Sequence, residues 1–272
     1  MRNNPACVSI FELRGSLPQY FLIMSTTSSN QNLVERLFAV GAHFGFKKSR
    51  RHPSVRPYLF DTKDGTDIID LERSAALLES AKEVLRAAGS EGKTVLFVGT
   101  KEEVSGIVRD QAEKINAPFV TNRWVGGMIT NWTEIRKRLN RLADLIAMGE
   151  SGELERKYTK KERVIINRER EKLMHNFGGI RTLERAPDMM VIVDPRHDKL
   201  AVAEAIEKAI PTIGILSSDN NVKSVTYPVI VNDTLRASVS FALTELVSAY
   251  TEGRSAFVPK PAPAASRRRL PR

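Results

Sequence analysis

The stretch TVLFVGTKEEVSGIVRDQAEKINAPFV, residues 94–120, decides the fold class of this chain of 272 residues. Thr94 to Val98 is a continuous apolar run, which is typical of a strand buried on both faces of a parallel sheet. Glu102 to Ile115 is predicted to form a helix, and Phe119-Val120 begins the next strand. A strand, a helix and a second strand in this order indicate a parallel sheet flanked by helices.

The same alternation continues in the C-terminal half of the sequence. The further predicted strands and helices are strands 189–193, 212–216 and 227–231 and helices 200–209 and 235–250. Upstream of residue 94 the predicted elements are a helix over 32–40, a strand hairpin around Lys63-Asp64-Gly65 and a helix over 72–88. We therefore predict an α/β fold with a doubly wound, mainly parallel sheet of Rossmann or flavodoxin-like type, built from residues 30–130 and 179–252.

Residues 131–178 follow a different pattern. A narrow apolar stripe from Ile135 to Ile146 is followed by a break at residues 149–152 and by a second helical stretch over residues 161–175. Two antiparallel helices joined by a loop predict an inserted α-helical coiled-coil hairpin that projects from the sheet.

The two ends of the sequence are expected to lie outside the fold. Residues 1–29 are interpreted as a disordered extension or, over residues 1–23, as an over-called translation start. Residues 253–272 are rich in Pro, Ala and Arg, and we predict a disordered basic tail there.

The formal net charge is +10 and the sequence pI is near 9.8. This charge favours an anionic partner such as nucleic acid or a membrane surface. From Arg254 onward the chain has six basic residues and no acidic one, so the preceding residues carry about +4. The folded part must therefore bind through local basic patches.

Several classes of site are disfavoured by composition. The single cysteine, Cys7, excludes an intrachain disulfide and a multi-cysteine zinc site. The four histidines show no metal-ligand spacing, and no apolar run approaches the ~20 residues of a membrane span. We expect no metal, no cofactor and no membrane association.

A parallel sheet also raises the hypothesis of a nucleotide-binding enzyme. Gly99-Thr100-Lys101 stands after a strand and before a helix, but the glycine fingerprint of a dinucleotide loop is absent. The sequence Asp194-Pro195-Arg196-His197-Asp198 could support acid–base chemistry, but a strand-to-helix turn with a helix cap is the favoured interpretation, because no Ser or Cys nucleophile or second carboxylate is placed to complete a mechanism. We predict no catalytic residue; a stand-alone nucleotide-binding enzyme or regulator of the same fold class remains the alternative.

Within the predicted folded region, basic residues cluster most densely between Phe44 and Tyr58, where Pro53 and Pro57 stiffen the chain. Cations of this kind neutralise phosphates, and planar side chains can stack on unpaired bases. The basic residues of the hairpin are interleaved with acidic ones and make a weaker case. The residues predicted to contact RNA are Lys47, Lys48, Arg50, Arg51, Arg56, Arg123, Arg136 and Arg141.

Both tryptophans fall within residues 122–132, NRWVGGMITNW, which connect the predicted sheet to the hairpin. The Gly126-Gly127 pair permits a tight turn, and Trp124 and Trp132 are expected to wedge the base of the hairpin against the sheet. We interpret this segment as a structural joint.

Short motifs spread over roughly residues 30–250 resemble, in the same order, the bacterial family of ribosomal protein small subunit 2. They are Gly41 to Gly45, Pro57-Tyr58, Ile68 to Leu71, Leu96 to Lys101, Arg123 to Trp132, Gly178 to Ile180, Pro187-Asp188 and Asn232-Asp233.

This resemblance implies a doubly wound sheet with a protruding helical hairpin. It also implies a noncatalytic component of the small (30S) ribosomal subunit that binds 16S ribosomal RNA and neighbouring ribosomal proteins, and that acts in the cytoplasm within the ribosome. A role in docking ribosomal protein one is part of the same expectation, and a homo-oligomer is not expected.

Overall fold

The computed structural model describes residues 32–257. The expectations for residues 1–29 and for the tail beyond residue 257 lie outside the described residues. Between residues 32 and 257 the strands are β1 (Phe44–Lys47), β2 (Leu59–Lys63), β3 (Thr66–Ile69), β4 (Val95–Val98), β5 (Phe119–Val120), β6 (Met189–Val193), β7 (Thr212–Leu216) and β8 (Tyr227–Ile230).

The α-helices of the same part of the chain are α1 (residues 32–39), α2 (Leu71–Ser90), α3 (Glu102–Lys114), α4 (Trp132–Glu150), α5 (Glu153–Lys157), α6 (Lys160–Phe177), α7 (Lys199–Glu207) and α8 (Arg236–Ser255). Helix α8 therefore runs three residues into the segment that we expected to begin a disordered tail. Its apolar face, which ends at Gly253, is buried against α2 and keeps these residues helical.

A five-stranded parallel sheet forms the centre of the molecule, in the order β5-β4-β6-β7-β8. Counted along the chain this is the order 2-1-3-4-5 of a flavodoxin-like doubly wound fold, which confirms the predicted fold class. Successive residues of each strand face opposite layers of the molecule. Val95 and Phe97 of β4 join the core beneath α1, α2, α3 and α8, whereas Leu96 and Val98 join the core shared with α7 and the hairpin.

A second, antiparallel sheet has the order β1-β3-β2. The predicted hairpin of β2 and β3 is present, and its turn places Asp64 and Gly65 at positive φ values of 52° and 74°. Strand β1 was not predicted, because the basic residues that follow it made the whole stretch look like a loop. Its register against β3 includes the pair Lys47 and Thr66.

A helical hairpin is inserted between β5 and β6. Helices α4 and α6 pack through Ile135, Leu142 and Leu173, and the connection between them contains the short helix α5. Helix α6 begins at a capping box, in which Thr159 and Glu162 satisfy each other's backbone N–H groups.

Helices α2 and α8 approach each other closely at two glycines. A Cβ atom at Gly89 would lie 2.5 Å from the carbonyl oxygen of Tyr250, and one at Gly253 would overlap the carbonyl oxygen of Arg86. The absence of a side chain at both positions therefore lets the two helix backbones touch. This contact closes the layer of the core that contains Val95 and Phe97.

Candidate nucleic-acid interface

Residues 47–56, here called the basic loop, connect β1 to β2 beside the carboxyl edge of the parallel sheet. The loop is fixed there by backbone donors: His52 N donates to the carbonyl of Ser218 at 2.9 Å, and Phe46 N donates to Ser218 Oγ at 2.7 Å. Four predicted cations of the loop are exposed: Lys47, Lys48, Arg50 and Arg56. Exposed cations on a fixed loop form a surface suited to phosphate groups.

Arg51 differs from these cations because its side chain is engaged within the protein. Its Nε donates to Asp67 Oδ2 at 2.7 Å, and its Nη2 donates to Asp67 Oδ1 and to Thr62 Oγ1. The Asp67 side chain is fully buried, so it requires this charge partner. The hydrogen bond to Asp67 is the main reason that the pKa of Arg51 is raised. The structure thus places Arg51 as a link between the basic loop and β3 rather than as an exposed cation.

Residues 122–132, here called the joint, connect β5 to α4 and are held by one buried carboxylate on α7. The Oε1 atom of Glu204 accepts hydrogen bonds from Trp124 Nε1 at 3.0 Å and from Gly127 N at 2.8 Å. Its Oε2 atom accepts three further bonds, from Ile129 N, Thr130 N and Thr130 Oγ1. Five donors therefore converge on a single side chain.

Glu204 remains readily ionised in this environment. Burial acts to raise its pKa, but the hydrogen bonds from Trp124 and from the backbone of the joint outweigh that effect, so its pKa is lowered. Sequence reasoning missed this residue. The available signal was its position between Ala201 and Ala205 on the buried face of α7, where a charged side chain needs partners.

The two tryptophans have the structural role predicted for them. Trp124 is buried in the same cluster as Val98 of the sheet and Phe177 of the hairpin. Trp132 packs against that cluster and donates its Nε1–H to the carbonyl of Glu184 at 3.2 Å. The wedge between sheet and hairpin is confirmed, and Arg123, next to Trp124, is exposed on its surface.

The two predicted cations of the hairpin differ in their surroundings. Arg136 on α4 is exposed. Arg141 donates through Nε and Nη2 to the two carboxylate oxygens of Glu169 on α6, both at 3.2 Å, and this hydrogen bonding is the main reason that its pKa is raised. Arg141 therefore bridges the two helices of the hairpin.

The carboxyl ends of β4 and β6 form the topological switch point, where sheets of this type bind ligands. In this chain the side chain of Asp198 lies at this switch point. Its Oδ2 accepts from Thr100 N at 3.2 Å and its Oδ1 accepts from Thr100 Oγ1 at 2.6 Å. Burial is the main reason that the pKa of Asp198 is raised, and the bonds from Thr100 oppose it.

This arrangement bears on the nucleotide-binding alternative. A phosphate at a strand-to-helix turn needs free backbone N–H donors, and Thr100 N already donates to Asp198. Asp198 precedes α7, as expected of a cap, but makes no capping hydrogen bond and faces Thr100 instead. A carboxylate of the protein thus fills the place of a nucleotide phosphate, which disfavours that alternative.

A charged cluster lies at the same edge of the sheet. Lys101 Nζ is 3.5 Å from Asp194 Oδ2 and 3.9 Å from Asp233 Oδ2. Burial, followed by repulsion from Asp194, raises the pKa of Asp233 to about 7, while Lys101 opposes the shift. Arg50 of the basic loop and Lys101 line one cavity of about 400 Å³, so the loop borders this cluster.

Two further observations concern residues 32–257. No group of three His, Cys, Asp or Glu side chains in this range is arranged to hold a metal ion. None of the helices in it combines the length and the apolar character needed to cross a membrane.

The predicted RNA contacts therefore form two sets. The basic loop is fixed next to Ser218, which follows β7, whereas Arg123 follows β5 and leads to the hairpin cations. The basic loop and Arg123 stand at the carboxyl edge of the sheet, separated by β4 and β6, whereas Arg136 and Arg141 lie on α4 of the hairpin.

Comparison with known proteins gives a consistent result. The family described as Ribosomal protein S2 matches residues 37–253. The small ribosomal subunit protein uS2c of Rhodomonas salina is 39% identical over 222 residues, which cover 82% of this chain and 91% of that protein. The small ribosomal subunit proteins uS2 of Crocosphaera subtropica and Wolinella succinogenes are 39% and 38% identical, over 81% and 82% of this chain and 82% of each relative. The chain belongs to the ribosomal protein S2 family.

Proposed function

We propose that this chain is a noncatalytic structural component of the small ribosomal subunit that binds 16S ribosomal RNA. The observation that carries the proposal is the family match, which spans both the sheet and the inserted hairpin. The exposed, fixed cations of the basic loop support the RNA-binding part of the proposal.

Within the basic loop, Lys47, Lys48, Arg50 and Arg56 are the proposed phosphate contacts. Arg50 also lies over the ring of Phe46, at 5.1 Å from its centroid, which orients the guanidinium plane.

Arg123 and Arg136 are the proposed contacts of the joint and hairpin, since both are exposed. Arg51 and Arg141 are already paired with carboxylates, and we propose that they act by orienting the cations beside them.

The test compares two triple variants of the full chain. One replaces Lys47, Lys48 and Arg50 with Ala. The other replaces three exposed lysines at the opposite, amino edge of the sheet: Lys93, Lys114 and Lys208. Arg51 is retained in both, because its loss would unfold the loop around Asp67 and confuse stability with binding.

Both variants are titrated with 16S ribosomal RNA at several salt concentrations and tested for incorporation into small subunits. We expect the loop variant to bind about tenfold more weakly at moderate salt and to show a shallower salt dependence, because fewer counterions are released. The control variant should incorporate like the parent chain. Equal affinity and incorporation of the two variants would remove the basic loop from the proposed interface. A parent chain that fails to enter small subunits would contradict the proposed function itself.

We further propose that the chain takes part in docking ribosomal protein one. The supporting observation is an exposed aromatic stack: the ring of His43 lies 4.6 Å from that of Phe38 and 4.0 Å from that of Phe44. Phe38 and Phe44 are 62% and 51% exposed, and exposed aromatic groups in contact are characteristic of protein-binding surfaces.

This docking proposal is tested with small subunits that carry the double variant Phe38→Ser and Phe44→Ser. Ile165→Ser on the hairpin, where the side chain is 57% exposed, serves as the control for loss of exposed apolar surface. We expect only the double variant to retain less ribosomal protein one after sedimentation. Equal retention by both would rule out the aromatic stack as the docking surface.

A further inference from the structure

A cleft of about 500 Å³ opens between the joint and the base of the hairpin. Its apolar lining comes from three segments: Val125 of the joint, Ile135 of α4, and Leu173 and Phe177 of α6. The volume lies within the range of small-ligand sites, and the lining is suited to one flat, apolar group. Because the three segments are fixed by the Glu204 network and the hairpin core, the cleft is preformed.

The charge around this cleft is positive once the ion pairs are considered. Two carboxylates, Glu134 and Glu169, line it together with Arg138 and Lys172. Glu134 pairs with Lys137 at 2.7 Å and Glu169 pairs with Arg141 at 3.2 Å, so both carboxylates are neutralised by cations on the hairpin. Arg138 and Lys172 have no carboxylate within 4.0 Å among residues 32–257 and are exposed. Two unpaired cations at the opening favour an anionic ligand.

Two amide side chains complete the lining. Asn131 and Asn176 both border the cleft. Asn131 precedes α4 without capping it, so its amide group is not used by that helix. The amide of Asn131 offers a donor and an acceptor together, which is the combination needed to bind the edge of a nucleobase. Asn176 offers the N–H donors of its amide, because its Oδ1 lies 3.3 Å from Nδ1 of His175.

We propose that this cleft receives one unpaired base of ribosomal RNA, with Arg138 and Lys172 contacting the adjacent phosphates. The proposal rests on the proposed function and adds a specific subsite to it. Apolar walls for the base, amides for its edge and cations for the backbone are the three elements by which proteins recognise single-stranded RNA. An acidic peptide would match the cations, but its extended backbone does not need a single enclosed pocket.

A substitution that blocks the cleft tests the proposed base site most directly. Gly126 is exposed at its rim, its φ is outside the left-handed region, and a Cβ atom there would have nothing within 4 Å. Gly126→Leu therefore adds a bulky side chain at the rim without backbone strain or a steric clash at its Cβ. Gly106→Leu on α3 is the matched control, because a Cβ atom at Gly106 also has nothing within 4 Å. The double variant Arg138→Ala with Lys172→Ala tests the cations separately.

Each full-length variant is titrated with 16S ribosomal RNA, and the parent complex is crosslinked with ultraviolet light and digested. We expect Gly126→Leu and the double cation variant each to bind about tenfold more weakly, while Gly106→Leu binds like the parent. A nucleotide adduct should map to the peptides that contain Asn131 or Phe177.

Unchanged RNA affinity of Gly126→Leu would overturn the base site while leaving the proposed function intact. Normal RNA affinity combined with loss of a neighbouring ribosomal protein from reconstituted subunits would identify a peptide as the occupant instead, and would equally overturn the proposal. Failure of the parent chain to bind 16S ribosomal RNA would contradict the proposed function, on which the base site depends.

Discussion

The indole N–H of Trp124 donates to the carboxylate of Glu204 across 80 positions of sequence, at 3.0 Å. Trp124 belongs to the joint that begins the hairpin, whereas Glu204 lies on a helix that covers the sheet. Since three backbone N–H groups of the joint donate to the same carboxylate, the direction of the hairpin is set by α7. A single substitution on α7 should therefore affect a segment that is distant in sequence.

Glu204→Gln should lower the free energy of unfolding by about 2–4 kcal/mol, because an amide brings its own N–H donors against the buried donors of the joint. Urea unfolding of the full chain measures the change. Glu207→Gln, an exposed site on the same helix, is the control and should change stability by less than about 0.5 kcal/mol. A Glu204→Gln protein as stable as the control would show that the network contributes little.

The same carboxylate should make the protein sensitive to acid. The pKa of Glu204 is lower in the folded state than the ordinary Glu value, so its stabilising contribution is complete above that value and is lost as the pH falls through the folded pKa. Below pH ~4.5 the unfolding free energy of the parent chain should fall more steeply than that of Glu204→Gln. Parallel pH profiles would contradict this assignment.

The carboxyl group of Asp233 should make the protein less stable as the pH rises, which is opposite to the effect of Glu204 and occurs at higher pH. Its pKa is raised to about 7 in the folded protein, so the folded state holds a proton that the unfolded state releases at lower pH. Stability should therefore decline as the pH rises from ~4 to ~7 in the parent chain, and Asp233→Asn should remove most of that decline. The exposed Asp110→Asn is the control and should leave the profile unchanged.

Arg51→Ala should destabilise the protein by about 3–5 kcal/mol, because it leaves the fully buried Asp67 carboxylate without its partner. Lys48→Ala, a neighbouring exposed cation, should change stability by less than about 0.5 kcal/mol. Combining Arg51→Ala with Asp67→Asn should recover part of the loss, which thermal unfolding can detect. Additive losses in the double variant would show that the two side chains do not act as a pair.

The two glycine environments predict opposite effects of the same substitution. Gly253→Ala should destabilise the protein by about 2–4 kcal/mol, since its Cβ would overlap the backbone of α2 at Arg86. Gly106→Ala, with open space around its Cβ, should stabilise α3 by about 0.5–1 kcal/mol. Denaturant midpoints of the two variants measured side by side test the packing of α2 against α8.

The elements that could be predicted from the sequence are those with a regular pattern of apolar residues along the chain. The apolar runs of β4 and β6 indicated buried parallel strands, and the change to helical spacing after Asn131 indicated the hairpin. Strand β1 escaped prediction because a four-residue strand rich in exposed positions has no alternation to distinguish it from a loop. Long regular elements are thus predictable, whereas short edge strands depend on their partners.

The candidate site was predictable only as a set of exposed charges. Arg50 and Arg51 are neighbours in the sequence and have the same side chain. Arg50 nevertheless lies over an aromatic ring at the surface, whereas Arg51 pairs with a buried carboxylate. The difference is set by Asp67, which the fold brings from another strand. The hydrogen bond between Thr100 and Asp198 was not predictable for the same reason: its two residues are 98 positions apart and only the fold brings them together.

The strand order has a consequence for how the chain is assembled. Strand β6 lies inside the parallel sheet, between β4 and β7, but it follows the hairpin in sequence. On a growing polypeptide the hairpin is therefore synthesised before the central strand of its own domain exists. The sheet can therefore be completed only after residues 131–178 have emerged, when β6 joins β4 and supplies the edge on which β7 pairs.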